Sequence, residues 1–341
     1  MAKTAVAGHD KRLVEIAMGY QRSRAVCAAA RLGIADALGD SERPVADLAV
    51  VCKADVAALH RLLRALASIG IVTETTPGRF VLTEFGKPLR KDVPDSAWPA
   101  VIFWADLLAN NWSSLTECVR TGKNAATLRP EIMLRWQEDP EGPAIFRAVM
   151  GTSPAEDYMP IARAWDFSTA RVVADLGGGG GALIAAILEA FPDTTGMLVD
   201  RPDSIEAARP RFSIGPLSRR TQLVAADLTQ QVPRGADVYI LKHVLHGYTD
   251  EAATDLLRKC RDVTPRDGRI LIVEFVLPDV IDHVDRDVES RLMSDLNMLA
   301  VTAGKERSAL EWKTLIDQAG LRYERIVPVA EDLVSIVEAR V

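Results

Sequence analysis

The chain is 341 residues long, 48% hydrophobic and 26% charged, with a formal net charge of −6. That length suits about two domains with a substantial core, and the balance of apolar and charged residues excludes a wholly disordered chain. The longest charge-free stretch, Leu176 to Leu188, contains five consecutive glycines and falls short of the roughly 20 apolar residues of a membrane span. No apolar core follows Met1-Ala2-Lys3-Thr4, so no secretory signal is expected. Cys27, Cys52, Cys118 and Cys260 lie at least 25 residues apart without paired spacing. Neither a zinc site nor a disulfide framework is indicated, and a reducing cytoplasm is the expected compartment.

Residues 1–90 hold thirteen Lys/Arg against nine Asp/Glu, a local charge of +4. Leu13, Ile16, Ala17 and Tyr20 stand at helical spacing within an Ala/Leu/Ile/Arg-rich stretch, residues 11–70. Pro44 and Asp47 open a short helix. Asp55 caps the next, Val56 to Ile69, which stops at Gly70. Ile71 to Thr83 forms two β-rich runs split by Pro77-Gly78, a hairpin signal. Helices followed by a hairpin make a winged-helix pattern, and residues 1–100 are expected to form a domain of that kind. Residues 96–165 read as helical and carry Trp98, Trp104, Trp112, Trp136 and Trp165. The boundary with the second domain, residues 101–341, is soft.

From Arg171 short apolar strands alternate with helical stretches: Arg171–Leu176, Gly196–Asp200, Gln222–Ala225, Asp237–Leu241 and Arg269–Phe275. This βαβ rhythm predicts an α/β, doubly wound, Rossmann-like parallel sheet. The first strand runs into Gly177–Gly181 with a helix, Ala182–Ala190, behind it. Glycine permits positive φ and close approach of a ligand, and the helix start offers free N–H groups. Gly177, Gly179 and Ala182 match G-x-G-x-x-A, and Asp200 follows about 20 residues later, as in dinucleotide sites. The same run would also serve as a mere packing turn. Asp175, two residues before the first glycine, tilts the choice: a carboxylate there repels a pyrophosphate and attracts the ammonium and sulfonium of S-adenosylmethionine. Asp200 is placed to take a ribose diol, and Asp227, ending the third strand, the adenine amine. Each alone reads as a surface carboxylate or cap; three at successive strand ends read as a binding crevice.

Lys242-His243-Val244-Leu245-His246-Gly247-Tyr248 follows the fourth strand, which adjoins the first where doubly wound order reverses. His246 there suits a general base for a hydroxyl, although a lone histidine is more often an ordinary loop residue. A metal at His243-x-x-His246 lacks an evident third ligand. Glu274, inside the apolar run Ile270–Leu277, needs a partner. Glu306 lies just before a helix and reads equally well as a local ion-pair member. Spacing alone does not join these residues.

Taken together, the ordered motifs resemble the metal-independent, S-adenosylmethionine-dependent small-molecule O-methyltransferases of caffeate, acetylserotonin and bacterial antibiotic-tailoring type, from about Val14 to Ala339. The residues carrying the likeness are Leu32–Asp36, Leu62–Leu66, Leu82–Gly86, Val119–Gly122, Phe146 with Met150, the glycine run, Leu241-Lys242 with His246, Val273-Glu274, Asp295–Leu299 and Gly304–Arg307. The resemblance implies His246 as general base flanked by Glu274 and Glu306. It implies cofactor contacts at Gly177, Asp200, Asp227, Leu228 and Lys242, to which the glycine-loop reading adds Asp175 and Gly179. An acceptor pocket is implied at Phe146, Met150, Asn297 and Met298, with Trp104 beside them, though core packing is the ordinary role of such residues. It also implies a homodimer through the N-terminal domain, with neither nucleic acid nor membrane as partner. One departure stands out: the family usually has Asp-Trp after the histidine, where this chain has Gly247-Tyr248. Two rivals are a nicotinamide-dependent oxidoreductase, which leaves Asp175 and Asp227 without a role, and a DNA-binding regulator, which the modest +4 and the Ala/Leu-rich helix Val56–Ile69 disfavour.

Overall fold

The computed structural model describes residues 11–132, 139–150, 154–282, 285–329 and 334–341. Trp136 lies outside them. The chain divides into two compact units, one ending at Asn110 and the other running from Asn111 to Val341.

In the N-terminal unit, Asp55 Oδ1 accepts the Ala58 N–H at 2.8 Å and starts helix Val56–Ser68, as an N-cap aspartate does. Helices Lys11–Arg31, Ile34–Leu38, Val45–Val51 and Trp98–Ile102 join it. Strands β1 (Arg43–Pro44), β2 (Val72–Thr76) and β3 (Arg79–Leu82) form an antiparallel sheet ordered β1-β3-β2. The β2–β3 turn passes through Gly78 at φ 78°. Leu38, Leu48, Leu63, Leu66 and Phe80 are completely buried, each stabilising the unit by about 1.5–3 kcal/mol relative to exposure. Trp98 Nε1 donates to the Ala30 carbonyl at 3.0 Å. Leu13, Ile16 and Tyr20 do lie on one helix, yet each is about two-thirds exposed. Periodicity predicts the helix; it does not say what covers the face.

The second unit is built on a sheet ordered β10-β11-β8-β7-β4-β5-β6. Strands β4 (Val172–Leu176), β5 (Thr195–Asp200), β6 (Thr221–Ala225), β7 (Val238–Lys242) and β8 (Arg269–Leu277) are parallel, close to the expected bounds. Two further strands extend the sheet beyond the five that the sequence rhythm predicts. β10 (Arg322–Pro328) and β11 (Val334–Arg340) return antiparallel to each other, and β11 runs antiparallel to β8. The charged residues Arg322, Glu324 and Arg325 mask β10 as a strand in sequence, and residues 329–333 are too few for the crossover helix that would continue the rhythm. Apolar clusters cover both faces of the sheet, which is why its inner strands are continuously hydrophobic. Because β4 sits between β5 and β7, chain direction across the sheet reverses beside β4, and the crevice at the strands' C-terminal ends opens there.

Candidate active site

The glycine loop emerges from β4 into that crevice. Gly177 has φ 71°, and a Cβ on it would stand 2.8 Å from Val244 Cγ2, so both backbone conformation and space demand glycine. The Gly179 N–H donates to Asp200 Oδ2 at 2.8 Å, and the Arg201 N–H to Oδ1 at 2.7 Å. Asp200, at the end of β5, therefore also holds the loop in shape. Leu228 is buried. Lys242, ending β7, places its ammonium 5.0 Å from the centre of the Tyr158 ring. Asp227 does not end the third strand as expected: β6 stops at Ala225. The Asp227 carboxylate accepts the Thr229 hydroxyl at 2.7 Å and the Thr229 N–H at 2.9 Å, bonds that hold it below the usual carboxylate range. The turn, rather than the ladder, fixes its direction.

Asp175 tests what the crevice accepts. It is 1% exposed, and no hydrogen bond reaches either of its oxygens, although the nearby Ile184 amide slightly favours its charge. Burial pushes its carboxyl up to about 7, with Lys242 opposing and Asp200 reinforcing the shift. A buried carboxyl without a partner, packed against the Gly178 backbone, fits a cationic ligand and disfavours a pyrophosphate. A cation favours the ionised form, so ligand binding expels the proton. Affinity for S-adenosylhomocysteine, which carries an ammonium, is expected to rise as pH climbs from 6 through about 7 and then level off. Calorimetry at several pH values checks this, and an Asp175→Asn variant should be weaker and flatter in pH. The apo protein carries the opposite dependence: the raised carboxyl stabilises the fold most at low pH, and that contribution is lost as pH rises towards about 7.

His246 lies on the turn Leu245–Gly247 directly after β7. Its Nδ1 is 2.9 Å from Glu306 Oε1 and 3.4 Å from Glu274 Oε2, and both glutamate side chains are fully buried. Ionised carboxylates only accept, which assigns the proton to Nδ1 and leaves Nε2 with the lone pair. Burial pulls the imidazole's pKa down, but the Glu274 charge and the Glu306 hydrogen bond outweigh it, and the net shift is upward. Burial likewise pushes Glu274 up, while the charge of His246 and the bond to His243 bring it below its usual value.

Local pairing explains how residues so far apart in sequence meet. β9 (Arg307–Ser308) pairs with β8 at Val276 and Leu277, which delivers Glu306 beside Glu274. Glu306 Oε1 also accepts the Ser294 hydroxyl at 2.9 Å, and the Glu306 N–H donates to Asp295 Oδ1 at 2.9 Å. Glu274 Oε1 accepts the N–H groups of Val244 at 2.9 Å and His246 at 3.3 Å.

Three residues gain roles that sequence reasoning did not give them. Arg307 is fully buried; its guanidinium donates to the carbonyls of Leu245, Tyr248 and Lys305 at 3.0–3.2 Å and pairs with Asp250 at 2.8 Å. It clamps the loop that carries His246. Gly304 lies under the same loop, where a Cβ would fall 2.0 Å from the His246 carbonyl oxygen. His243 stacks on His246 at 5.2 Å between ring centres and sets its Nδ1 3.1 Å from Glu274 Oε2, with its own backbone in the left-handed region at φ 51°. The absence of a third ligand beside the two histidines is therefore corrected: Glu274 stands with them. The signal was Glu274 itself, a charge in an apolar run.

The residues expected around an acceptor are spread more widely. Phe146 and Met150 lie partly exposed on helix Gly142–Met150, whose last carbonyl is 4.0 Å from the position a Cβ on Gly179 would take. On helix Arg286–Val301, Asn297 is buried and its Oδ1 accepts the Trp112 Nε1–H at 3.0 Å, and Met298 is half-buried. Trp104 belongs to the N-terminal unit, edge-on to Phe103 and half exposed.

Comparison with known proteins decides the family. An O-methyltransferase domain matches residues 112–322 and an O-methyltransferase dimerisation domain residues 14–92. The chain belongs to the O-methyltransferase family. Among relatives of this O-methyltransferase, the phenazine O-methyltransferase PhzM of Lysobacter antibioticus is 35% identical over 332 residues, 96% of this chain and 95% of that one. The 8-amino-8-demethylriboflavin N,N-dimethyltransferase of Streptomyces davaonensis is 31% identical, covering 97% and 95%. The O-methyltransferase NcsB1 of neocarzinostatin biosynthesis, solved with S-adenosylmethionine and 2-hydroxy-5-methyl naphthoic acid, is 32% identical with a TM-score of 0.78 over 93% of this chain and 95% of that one. The enzyme is S-adenosylmethionine-dependent and its family metal-independent, which sets aside the oxidoreductase reading. The orphaned Asp175 and the glycine cradle fit that cofactor. Among the described residues no helix is long and apolar enough to cross a membrane.

Proposed function

We propose that this O-methyltransferase methylates a hydroxyl, most simply a phenol, on a small aromatic secondary metabolite, with His246 as general base. One observation carries the reading: an imidazole whose Nδ1 faces two fully buried carboxylates, at the exit of the strand beside the glycine loop. When bound, S-adenosylmethionine supplies an activated methyl group. Nε2 of His246 takes the hydroxyl proton as the oxygen becomes nucleophilic. Glu306 and Glu274 hold the ring and stabilise the imidazolium that forms, while Arg307 and Gly304 fix the turn beneath it. Asp175 and Asp200 take the cationic and ribose portions of the cofactor, Asp227 and Leu228 its adenine, and Lys242 and the Gly177 and Gly179 backbone complete the cradle. Orientation in a water-poor site contributes up to about 7–11 kcal/mol, and base assistance roughly 10²–10⁴-fold. Phe146, Met150, Asn297 and Met298 are the acceptor-contact candidates, and Gly247, where a Cβ would meet nothing within 4 Å, leaves room beside the base.

The naphthoate bound to NcsB1 supports an aromatic hydroxy acid as first acceptor. The riboflavin-type relative, named for transfer to nitrogen, supplies the alternative. Paired hydroxy- and amino-naphthoates incubated with S-adenosylmethionine and followed by mass spectrometry separate the two. Transfer to the hydroxy compounds is expected, and transfer confined to the amines overturns the hydroxyl assignment.

The dimerisation domain and the exposed Leu13, Ile16, Met18 and Tyr20 on one helix support a homodimer, which light scattering at twice the chain mass would verify and a monomer mass refute. Four free, buried cysteines support a reducing, cytoplasmic location. Secretion of the native chain with its thiols oxidised would contradict it.

A further inference from the structure

His243 has no task in proton removal, yet it shares a carboxylate oxygen with the base. We propose that His243, His246 and Glu274 form a three-ligand binding site for one divalent ion of the zinc class, with water completing its shell, and that an ion held there silences the transferase. The inference rests on His246 being the base; the ion takes no part in methyl transfer.

Geometry and donor chemistry support the site. One ligand atom from each of His243, His246 and Glu274 lies within 4.8 Å of the other two. Glu274 Oε2 stands 3.1 Å from His243 Nδ1 and 3.4 Å from His246 Nδ1, close to the roughly 3.3–3.5 Å between neighbouring ligands around a tetrahedral ion with bonds of about 2.0–2.1 Å. Two imidazole nitrogens with carboxylate oxygens select zinc over magnesium or calcium, which prefer all-oxygen shells. A separate observation supports a cation here: Glu306 Oε2 is buried without any hydrogen-bond partner, on a residue 1% exposed whose other oxygen is 2.9 Å from His246 Nδ1, so its charge stands beside the three ligands. Two fully buried carboxylates converge on this spot, and a dication would neutralise both. The imidazoles keep 29% and 18% of their side-chain surface open, which leaves an entry path.

Silencing follows from the tautomer. Neutral His246 carries one ring proton, on Nδ1. An ion bound at Nδ1 requires that nitrogen's lone pair, so the same proton moves to Nε2, with none gained or lost. The nitrogen that must receive the acceptor's proton is then already protonated.

The test uses the full chain, titrated with Zn²⁺ by calorimetry and with Co²⁺ by visible absorption, in parallel with methyl-transfer assays with and without EDTA. One ion per chain is expected, with Co²⁺ d–d bands of a four- or five-coordinate site and inhibition reversed by EDTA. His243→Gln and His243→Phe should each weaken ion binding by at least about tenfold and lose most of the inhibition, read against each variant's own metal-free rate. Absence of stoichiometric binding, or equal binding by wild type and both variants, overturns the site while leaving the base assignment intact. Tight binding without inhibition overturns the silencing, and the role of His246 with it.

Discussion

Replacing His246 by asparagine is expected to lower turnover by about 10²–10⁴-fold, the usual contribution of a positioned base, while leaving affinity for S-adenosylhomocysteine nearly unchanged. The separation follows from placement. The groups proposed to frame the cofactor, Asp175, the glycine loop and Asp200, stand on β4, just after it and on β5, and take no hydrogen bond from the imidazole. The local structure should persist, because Glu274 keeps two backbone N–H groups and His243, and Glu306 keeps Ser294. Single-turnover rates paired with calorimetry make the measurement: equal losses in kcat and kcat/KM mark an interaction made in the transition state, and an undiminished rate would remove His246 from the mechanism.

Arg307→Met is expected to cost the catalytic unit about 3 kcal/mol, since three carbonyls lose their donor and Asp250 its partner. For a unit of this size that corresponds to a fall of roughly 6–12 °C in melting temperature. Asp250 keeps about half its side-chain surface in water and can rehydrate, which holds the cost below that of a fully buried pair. Turnover should fall too, because the freed loop is the one that aims His246. Lysine should rescue little: a single ammonium cannot reach Asp250 and three carbonyls at once, whereas the guanidinium fork can. A variant melting at the wild-type temperature would show that the loop is held by other means, with the Gly304 contact first among them.

Legibility in the sequence was uneven for physical reasons. Four of the parallel strands, β4, β5, β7 and β8, announced themselves because both of their faces are buried and they read as apolar runs. The Asp55 cap and the Pro77-Gly78 turn were legible because such signals act over a few residues. Strand β10 was not, since edge position and charged side chains erase the pattern. Glu274 could be marked as a carboxylate in need of a partner, but its partners lie some 30 residues earlier in the chain.

By itself, then, the sequence determined the α/β class, the glycine loop and its acidic neighbours, and, through ordered motifs, the family, because each is written in contiguous residues or in their order. Only the tertiary structure decided that Glu306 stands beside Glu274, that Arg307 and Gly304 grip the histidine's loop, that Asp175 is left without a partner, and that His243 shares an oxygen with His246. Those facts depend on strand pairing and on which groups are shut away from water, and neither is encoded in spacing along the chain.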